Sequence, residues 1–461
     1  MAIASALLMM ESAAFAADMP AKAPAAVSSY DWNGFYLGVN AGYAVANNPG
    51  KATTVFIPSG VTDDNIDADT GAKGWLAGVQ AGYNWQSGPL LLGVEADIQA
   101  TGQKGTACLG CTPAIGSTNS VESKLPWFGT VRGRLGLTNG PVLFYTTGGL
   151  AYGQLETTAM TSAGTPNSLV DVSSTKTGWA AGGGIEAALS GNWTAKIEYL
   201  YFEFGSVSGL TPRFVAGGGG PVFGSYLSTF TDHLVRAGLN YRFGDRSTAG
   251  SGFWETTPRH NWSGVYAGVN AGYGLARNPS SERDPFNFIT DSFAMSSGGW
   301  LGGGQLGVNW QTGALVFGLE ADLQKTSQSE TACVLVCFDT AHLNLDEKLS
   351  WFGTARARLG FAQGPALFYG TGGLAFGKTE LTAEKLFITT VGPDTVSSTK
   401  TGWTLGAGVE SALAGNWSVK AEYLYVDLGN ISLTQPDIAG TRTVSSDIHN
   451  NVFRLGLNYH L

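Results

Sequence analysis

Trp32-Asn33-Gly34-Phe35-Tyr36-Leu37-Gly38-Val39-Asn40-Ala41-Gly42-Tyr43 is the stretch on which the fold turns. It returns between Trp262 and Tyr273 as Trp-Ser-Gly-Val-Tyr-Ala-Gly-Val-Asn-Ala-Gly-Tyr. In the first copy Phe35, Leu37, Val39, Ala41 and Tyr43 alternate with Tyr36, Gly38, Asn40 and Gly42. Successive strand residues point to opposite faces, so the alternation predicts a strand with one apolar face and one small, polar face.

The surrounding composition narrows what such a strand belongs to. The 461 residues include 66 glycines, and only 13% are charged. That is about twice the usual share of glycine and about half the usual share of charge. No stretch approaches the roughly 20 apolar residues of a spanning helix. Apolar surface spread over alternating strands fits a membrane β-barrel, with a soluble all-β protein as the competing class. The formal charge of -9, without a basic patch, argues against nucleic acid as a partner. Four cysteines fall as two close pairs, Cys108–Cys111 and Cys333–Cys337. In an exported chain these read as local disulfides. A shared zinc site is the alternative, disfavoured because the pairs lie in separate repeats.

Along the chain, residues 1–17 carry apolar Ala4–Met10 and then Ala14-Phe15-Ala16-Ala17, which is read as a signal peptide with a small-residue cleavage site. Residues 18–31 form a Pro/Ala linker. Eight strands follow, expected near 34–45, 74–86, 89–100, 123–137, 141–155, 177–189, 192–204 and 233–243. Tight connections such as Gln86-Ser87-Gly88-Pro89, Thr138-Asn139-Gly140-Pro141 and Ser190-Gly191-Asn192 alternate with long ones at 46–73, 101–122, 156–176 and 205–232. Short periplasmic turns and long outer loops are the layout of an outer-membrane barrel, and a soluble sandwich has no reason to sort its loops this way. The pattern then repeats, with Trp75, Trp127 and Trp193 matched by Trp300, Trp351 and Trp417. The expected organisation is an all-β chain of two tandem eight-stranded antiparallel up-and-down transmembrane barrels. They occupy 32–243 and 262–461, joined by a polar linker at 244–261.

Reading the two faces of each strand separates apolar from charged. Trp75, Ala77, Val79, Ala81, Tyr83 and Trp85 share one face, with aromatic residues near the strand ends as in the girdles of membrane proteins. The other face carries Glu95, Asp97, Glu186 and Glu198 against Arg132, Arg134, Lys196 and Arg236. The second unit repeats the set as Glu320, Asp322, Glu410 and Glu422 against Arg356, Arg358, Lys420 and Arg454. Confined charges must be paired, because an unpaired one costs several kcal/mol. An eight-stranded barrel is just wide enough for side chains to fill. A packed, ion-paired lumen is therefore expected, with a charge-lined ion pathway as the alternative.

Several apparent motifs are refused. Gly372 to Thr379 has the spacing of a phosphate-binding loop, and Gly302, Gly304 and Gly307 that of a dinucleotide turn. Both need a helix after the turn, and both lie inside strand patterns. None of the five histidines stands at useful spacing from a serine and an acid, or from other metal ligands. Asp63, Asp64, Asp67 and Asp69 lack calcium-loop spacing and read as a solvated acidic rim. No enzyme activity and no cofactor are expected.

The combined motifs resemble the small outer-membrane barrels of alphaproteobacteria, the opacity-type or "porin family" proteins. The opening Trp-x-Gly-x-Tyr-x-Gly-x-Asn-x-Gly-Tyr is similar to their first strand, and Ala17-Asp18-Met19-Pro20-Ala21-Lys22-Ala23-Pro24 to their mature start. Each unit resembles one complete family barrel. The resemblance implies a bacterial outer-membrane location and a role in envelope integrity and surface contacts. Implied partners are outer-membrane lipid and lipopolysaccharide, the barrel-assembly machinery, and host or extracellular surface ligands at the long loops. Two rivals stay open: one sixteen-stranded porin-like channel for small solutes, and an adhesin or haem-binding surface protein.

Overall fold

Glycine turns set the frame. The computed structural model describes residues 30–461 apart from 48–49, 57–61, 68, 109–117, 163–167, 190, 214–221, 245–259, 284–289, 339–340, 387–389 and 438–439. The short connections turn on Gly88, Gly140 and Gly191 in the first unit and on Gly313, Gly364 and Gly415 in the second, all with φ between 57° and 65°. Only glycine holds that conformation without steric cost, and it folds each strand back onto its neighbour. The signal segment, the Pro/Ala linker up to Ser29, Cys111 and most of the inter-unit linker lie outside the described residues.

The first unit comprises β1 (Gly34–Asn47), β2 (Gly50–Phe56), β3 (Thr62–Asp67), β4 (Lys73–Ser87), β5 (Leu90–Cys108), β6 (Thr118–Asn139), β7 (Val142–Ser162), β8 (Ser168–Ala188), β9 (Trp193–Arg213) and β10 (Val222–Arg242). β1 pairs antiparallel with β4 on one side and with β10 on the other, from Tyr36↔Arg242 to Asn47↔Thr231. The ring β1–β4–β5–β6–β7–β8–β9–β10 is thereby closed with eight strands. The second unit comprises β11 (Gly264–Ala276), β12 (Asn278–Arg283), β13 (Thr290–Met295), β14 (Gly298–Thr312), β15 (Leu315–Phe338), β16 (Ala341–Gln363), β17 (Ala366–Leu386), β18 (Thr390–Ala412), β19 (Trp417–Asp437) and β20 (Gly440–His460). Its seam joins β11 to β20, from Tyr266↔His460 to Ala276↔Asn450. Two seams overturn the single sixteen-stranded ring, since β10 returns to β1 instead of passing on to β11.

The expected long loops need correction. Segment 46–73 contains the β2–β3 hairpin, and β2 hydrogen-bonds to the upper part of β10. Segments 101–122, 156–176 and 205–232 are largely strand. Above the lipid neither face has to be apolar, so the alternation that marks a membrane strand disappears while the backbone ladder continues. A register shift between Ala100 and Gln103 marks this change in β5, and one between Lys325 and Gln328 marks it in β15.

The outer face is bare hydrocarbon. Trp75 is 58% exposed, Trp300 72%, Leu150 65% and Leu374 68%. Water would not tolerate such a surface, whereas lipid does. The two barrels stand side by side through corresponding faces. Val142 and Ile185 of the first cluster with Ala366 and Val409 of the second, flanked by Phe144, Ile197, Phe368 and Ala421. The turn hydrogen bonds are nearly reciprocal: Asn139 Nδ2 donates to the Ala412 carbonyl (3.3 Å), and Gln363 Nε2 donates to the Leu189 carbonyl (2.8 Å). The same patch used on both partners is the mark of a two-fold interface.

Candidate functional site in the barrel lumen

The opening stretch builds the bottom of the lumen. Trp32, just before β1, is fully buried and packs with Leu91, Leu143 and Tyr145, while its indole Nε1 donates to the Gly140 carbonyl at 3.2 Å. Arg242 stacks over it at 5.1 Å and donates to the carbonyls of Asp31 and Asn33. In the second unit Trp262 fills the same place, and His460 stands where Arg242 stood. Outside the strands at this mouth, burial and then the nearby His460 hold the His260 imidazole below the usual histidine range.

The next inward positions of β1 reach the charges. The Tyr36 hydroxyl donates to Glu95 Oε2 at 2.7 Å and accepts from Arg134 Nη1 at 2.7 Å. Asn40 donates to Gln80, Gln80 to Asn240, and Asn240 to Glu186, a relay of amides with bonds of 3.0, 2.6 and 2.9 Å. Gly38 and Gly42 lie so close to β10 that a side chain would run into the Leu239 and Val235 carbonyl oxygens.

At mid-height all eight charged residues of the first set are buried. Arg132 contacts Glu95 (2.7 Å), Asp97 (2.9 Å) and Glu198 (3.1 Å). Arg236 contacts Asp97 (2.8 Å) and Glu198 (2.5 Å), Arg134 contacts Glu186 (2.7 Å), and Lys196 contacts Glu95 (2.7 Å). The second unit has the same partners. Arg356 meets Glu320, Asp322 (2.9 Å) and Glu422 (2.9 Å), and Arg358 meets Glu410 (2.7 Å). Lys420 meets Glu320 (2.8 Å), while Arg454 meets Asp322 (2.8 Å) and Glu422 (2.6 Å). Hydroxyls add further bonds, from Tyr145 to Glu198 and from Tyr369 to Glu422, each 3.0 Å. Low dielectric makes such charges costly alone and strongly held when fully paired.

Above the charges the lumen turns apolar. Leu76, Leu125, Phe128, Leu200, Phe202 and Leu234 form that layer in the first barrel, and a larger set around Leu345, Phe352, Leu424 and Val452 forms it in the second. Sequence reading missed polar groups set into or above this layer: Asp232, bonded by Gln103 at 2.6 Å, Glu347, bonded by Ser446 at 2.5 Å, and Arg442, which pairs with Glu282, a residue it placed on the rim and the structure buries. It also missed Arg242, whose strand parity points inward. Between the barrels, buried Arg277 pairs with Asp69, one of the aspartates read as solvated rim.

The arrangement leaves little for chemistry. No three His, Cys, Asp or Glu side chains gather as metal ligands among the described residues. The phosphate-loop and dinucleotide spacings fall inside β17 and β14. Cys333 is disulfide-bonded, and no described cysteine is free. The Cys337 side chain and the Cys108–Cys111 pair lie outside the residues whose side chains are described.

The sequence model of the outer membrane protein beta-barrel domain matches residues 3–243 and again 249–460. The chain belongs to this family. It is an outer-membrane β-barrel protein with the barrel in tandem. It is 38% identical over 254 residues to a 31 kDa outer-membrane immunogenic protein of Brucella melitensis, covering 52% of this chain and 98% of that protein. It is 33% identical over 251 residues to a 25 kDa outer-membrane immunogenic protein of Brucella abortus, covering 52% and 96%. A 22 kDa outer membrane protein of Rhizobium leguminosarum is 32% identical over 175 residues, covering 38% and 65%. Among solved structures it is similar to Neisserial surface protein A, at 17% identity and a TM-score of 0.22 over 45% of this chain and 97% of that one. It is also similar to the Pseudomonas putida toluene transporter TodX, at 11% identity and a TM-score of 0.28 over 94% of each chain.

Proposed function

We propose that this outer-membrane protein is a structural and surface-presenting component of the envelope, and neither a channel nor a catalyst. Two sealed barrels anchor it, and strands that continue beyond the lipid raise a rim toward the outside. The observation that carries this reading is the layered lumen, in which aromatic stopper, paired charges and apolar layer follow one another among the described residues. Relatives named as immunogenic outer-membrane proteins support display at the surface. Outer-membrane lipid, lipopolysaccharide and the barrel-assembly machinery are the partners this role requires, and extracellular ligands would meet the rim. Planar-bilayer recording of the full chain tests the reading. The expected record has no stable openings, and steady conductance of porin size would overturn it.

A further inference from the structure

The two-fold packing of the barrels gives their interface two corresponding flanks, and these carry different side chains. On one flank, Tyr199 of the first barrel hydrogen-bonds to His233 Nδ1 at 2.8 Å, and His233 stacks on Tyr273 of the second at 6.1 Å. On the other flank the corresponding Tyr423 and Asn451 belong to the second barrel and Tyr43 to the first. There they line an open cleft of about 300 Å³. This cleft also holds Lys73 and Arg277. The register partner of Val45 in β4 is Lys73, whereas the corresponding Leu275 in β11 faces Gly298. Lys73 therefore has no basic counterpart on the other flank.

Both charged residues lining the cleft, Lys73 and Arg277, are basic, and Asp427 stands beyond the lining as the register partner of His449. Asp69 answers the buried Arg277. Lys73 is exposed, and its ammonium makes no ion pair among the described residues. Beside it His449 stacks on Tyr425 at 5.9 Å, with a buried Nδ1 that has no hydrogen-bond partner. The Tyr423 hydroxyl already donates to Asn451 Oδ1 at 2.9 Å, but an unanswered cation and an unpartnered ring nitrogen in a cleft also lined by Tyr43 and Tyr425 suit an oxyanion with several acceptor atoms.

The height of the cleft identifies the source of that anion. Tyr43 is the register partner of Trp75, and Lys73 is two residues further out on the same lipid-facing side of β4. Trp75 belongs to the aromatic belt, so Lys73 stands at headgroup level in the leaflet opposite the short turns. Basic groups between membrane segments at that level recognise anionic lipid heads. We propose that the cleft binds the phosphorylated headgroup of an outer-leaflet lipid, with Lys73 as its ion partner. The inference rests on the membrane placement of the strands and not on whether the lumen conducts.

Native mass spectrometry of the full chain in detergent tests it, using bisphosphorylated lipid A, the same lipid after removal of its phosphates, and inorganic phosphate. One phosphorylated lipid per chain is expected. Lys73→Gln should weaken its retention by roughly fivefold to tenfold, Lys73→Arg should restore it, and Lys348→Gln, on β16 at the far side of the second barrel, should change nothing. Equal retention of both lipid forms, or an unchanged Lys73→Gln, would overturn the proposal. So would inorganic phosphate binding as tightly as the lipid, which would mark a free-phosphate site. Should Lys73→Gln not fold, the comparison of the two lipid forms on the unaltered chain still decides.

Discussion

Glu95 and Lys196 stand on β5 and β9, four places apart in an eight-strand ring, yet the Lys196 ammonium lies 2.7 Å from Glu95 Oε2. No two strands of such a ring can be further apart, so the pair spans the lumen from wall to wall. Glu320 and Lys420 repeat the bridge in the second barrel at 2.8 Å.

Removing one end of this bridge strands the other. Glu95→Ala leaves Lys196 and Arg132 short of a carboxylate in a dry interior, and should cost about 3–5 kcal/mol. The check is the urea midpoint of the detergent-solubilised protein followed by tryptophan fluorescence. Replacing both Glu95 and Lys196 by methionine should cost less than Glu95→Ala alone, because no charge is left unanswered. A double variant as unstable as the sum of its singles would contradict the pairing.

Trp32 is predicted to matter for packing more than for affinity to anything. Trp32→Ala opens a cavity beneath Tyr145 and Leu143 and frees the face on which Arg242 lies, for a loss of about 3–5 kcal/mol. Trp262→Ala should cost the second barrel a similar amount. Heat-modified migration on gels reads both: the folded band should convert at lower temperature, and no shift would contradict the stopper.

Gly42 and Gly88 make a controlled comparison. A methyl on Gly42 would run into the Val235 carbonyl and the Arg236 backbone at the closing seam. Gly42→Ala should therefore cost about 1–3 kcal/mol and lower the refolding yield. A methyl on Gly88 meets open space, and its φ of 60° leaves only the left-handed backbone penalty of about 1–2 kcal/mol. Equal refolding yields for the two variants would argue against tight contact at the seam.

The link between barrels is open to a separate test. Asp69→Asn leaves buried Arg277 without its carboxylate and should cost about 3 kcal/mol. The loss should fall on the coupling of the halves, splitting one unfolding transition into two while each lumen stays intact. Calorimetry showing a single, unshifted transition would count against it.

Much of this architecture is readable from residues because lipid imposes a strict rule: every second side chain must be apolar where the strand meets hydrocarbon. That rule exposes the strands, and the turn glycines locate their ends. It also assigns Glu95, Arg132 and their companions to one face, which is where they lie. It falls silent where lipid stops. Hence 101–122 and 205–232 read as loops although most of their residues are strand, and the buried places of Asp232, Glu347 and Arg442 do not show in the pattern. Arg242 was readable by parity, but four acids already matched four bases. Arg277 and Asp69 meet across two separate rings, and no periodicity links residues in different rings.

The reciprocal contacts of Asn139 and Gln363 have a consequence for how the pair assembles. Two free barrels would meet at a rate set by their density in the membrane, whereas barrels on one chain meet at an effective concentration fixed by their tether. Pairing is then always one to one and insensitive to expression level. Because each half faces a partner of fixed identity, the two need not stay alike. A lysine at position 73 opposite a glycine at 298 is the kind of divergence that a free homodimer, carrying every change twice, does not permit.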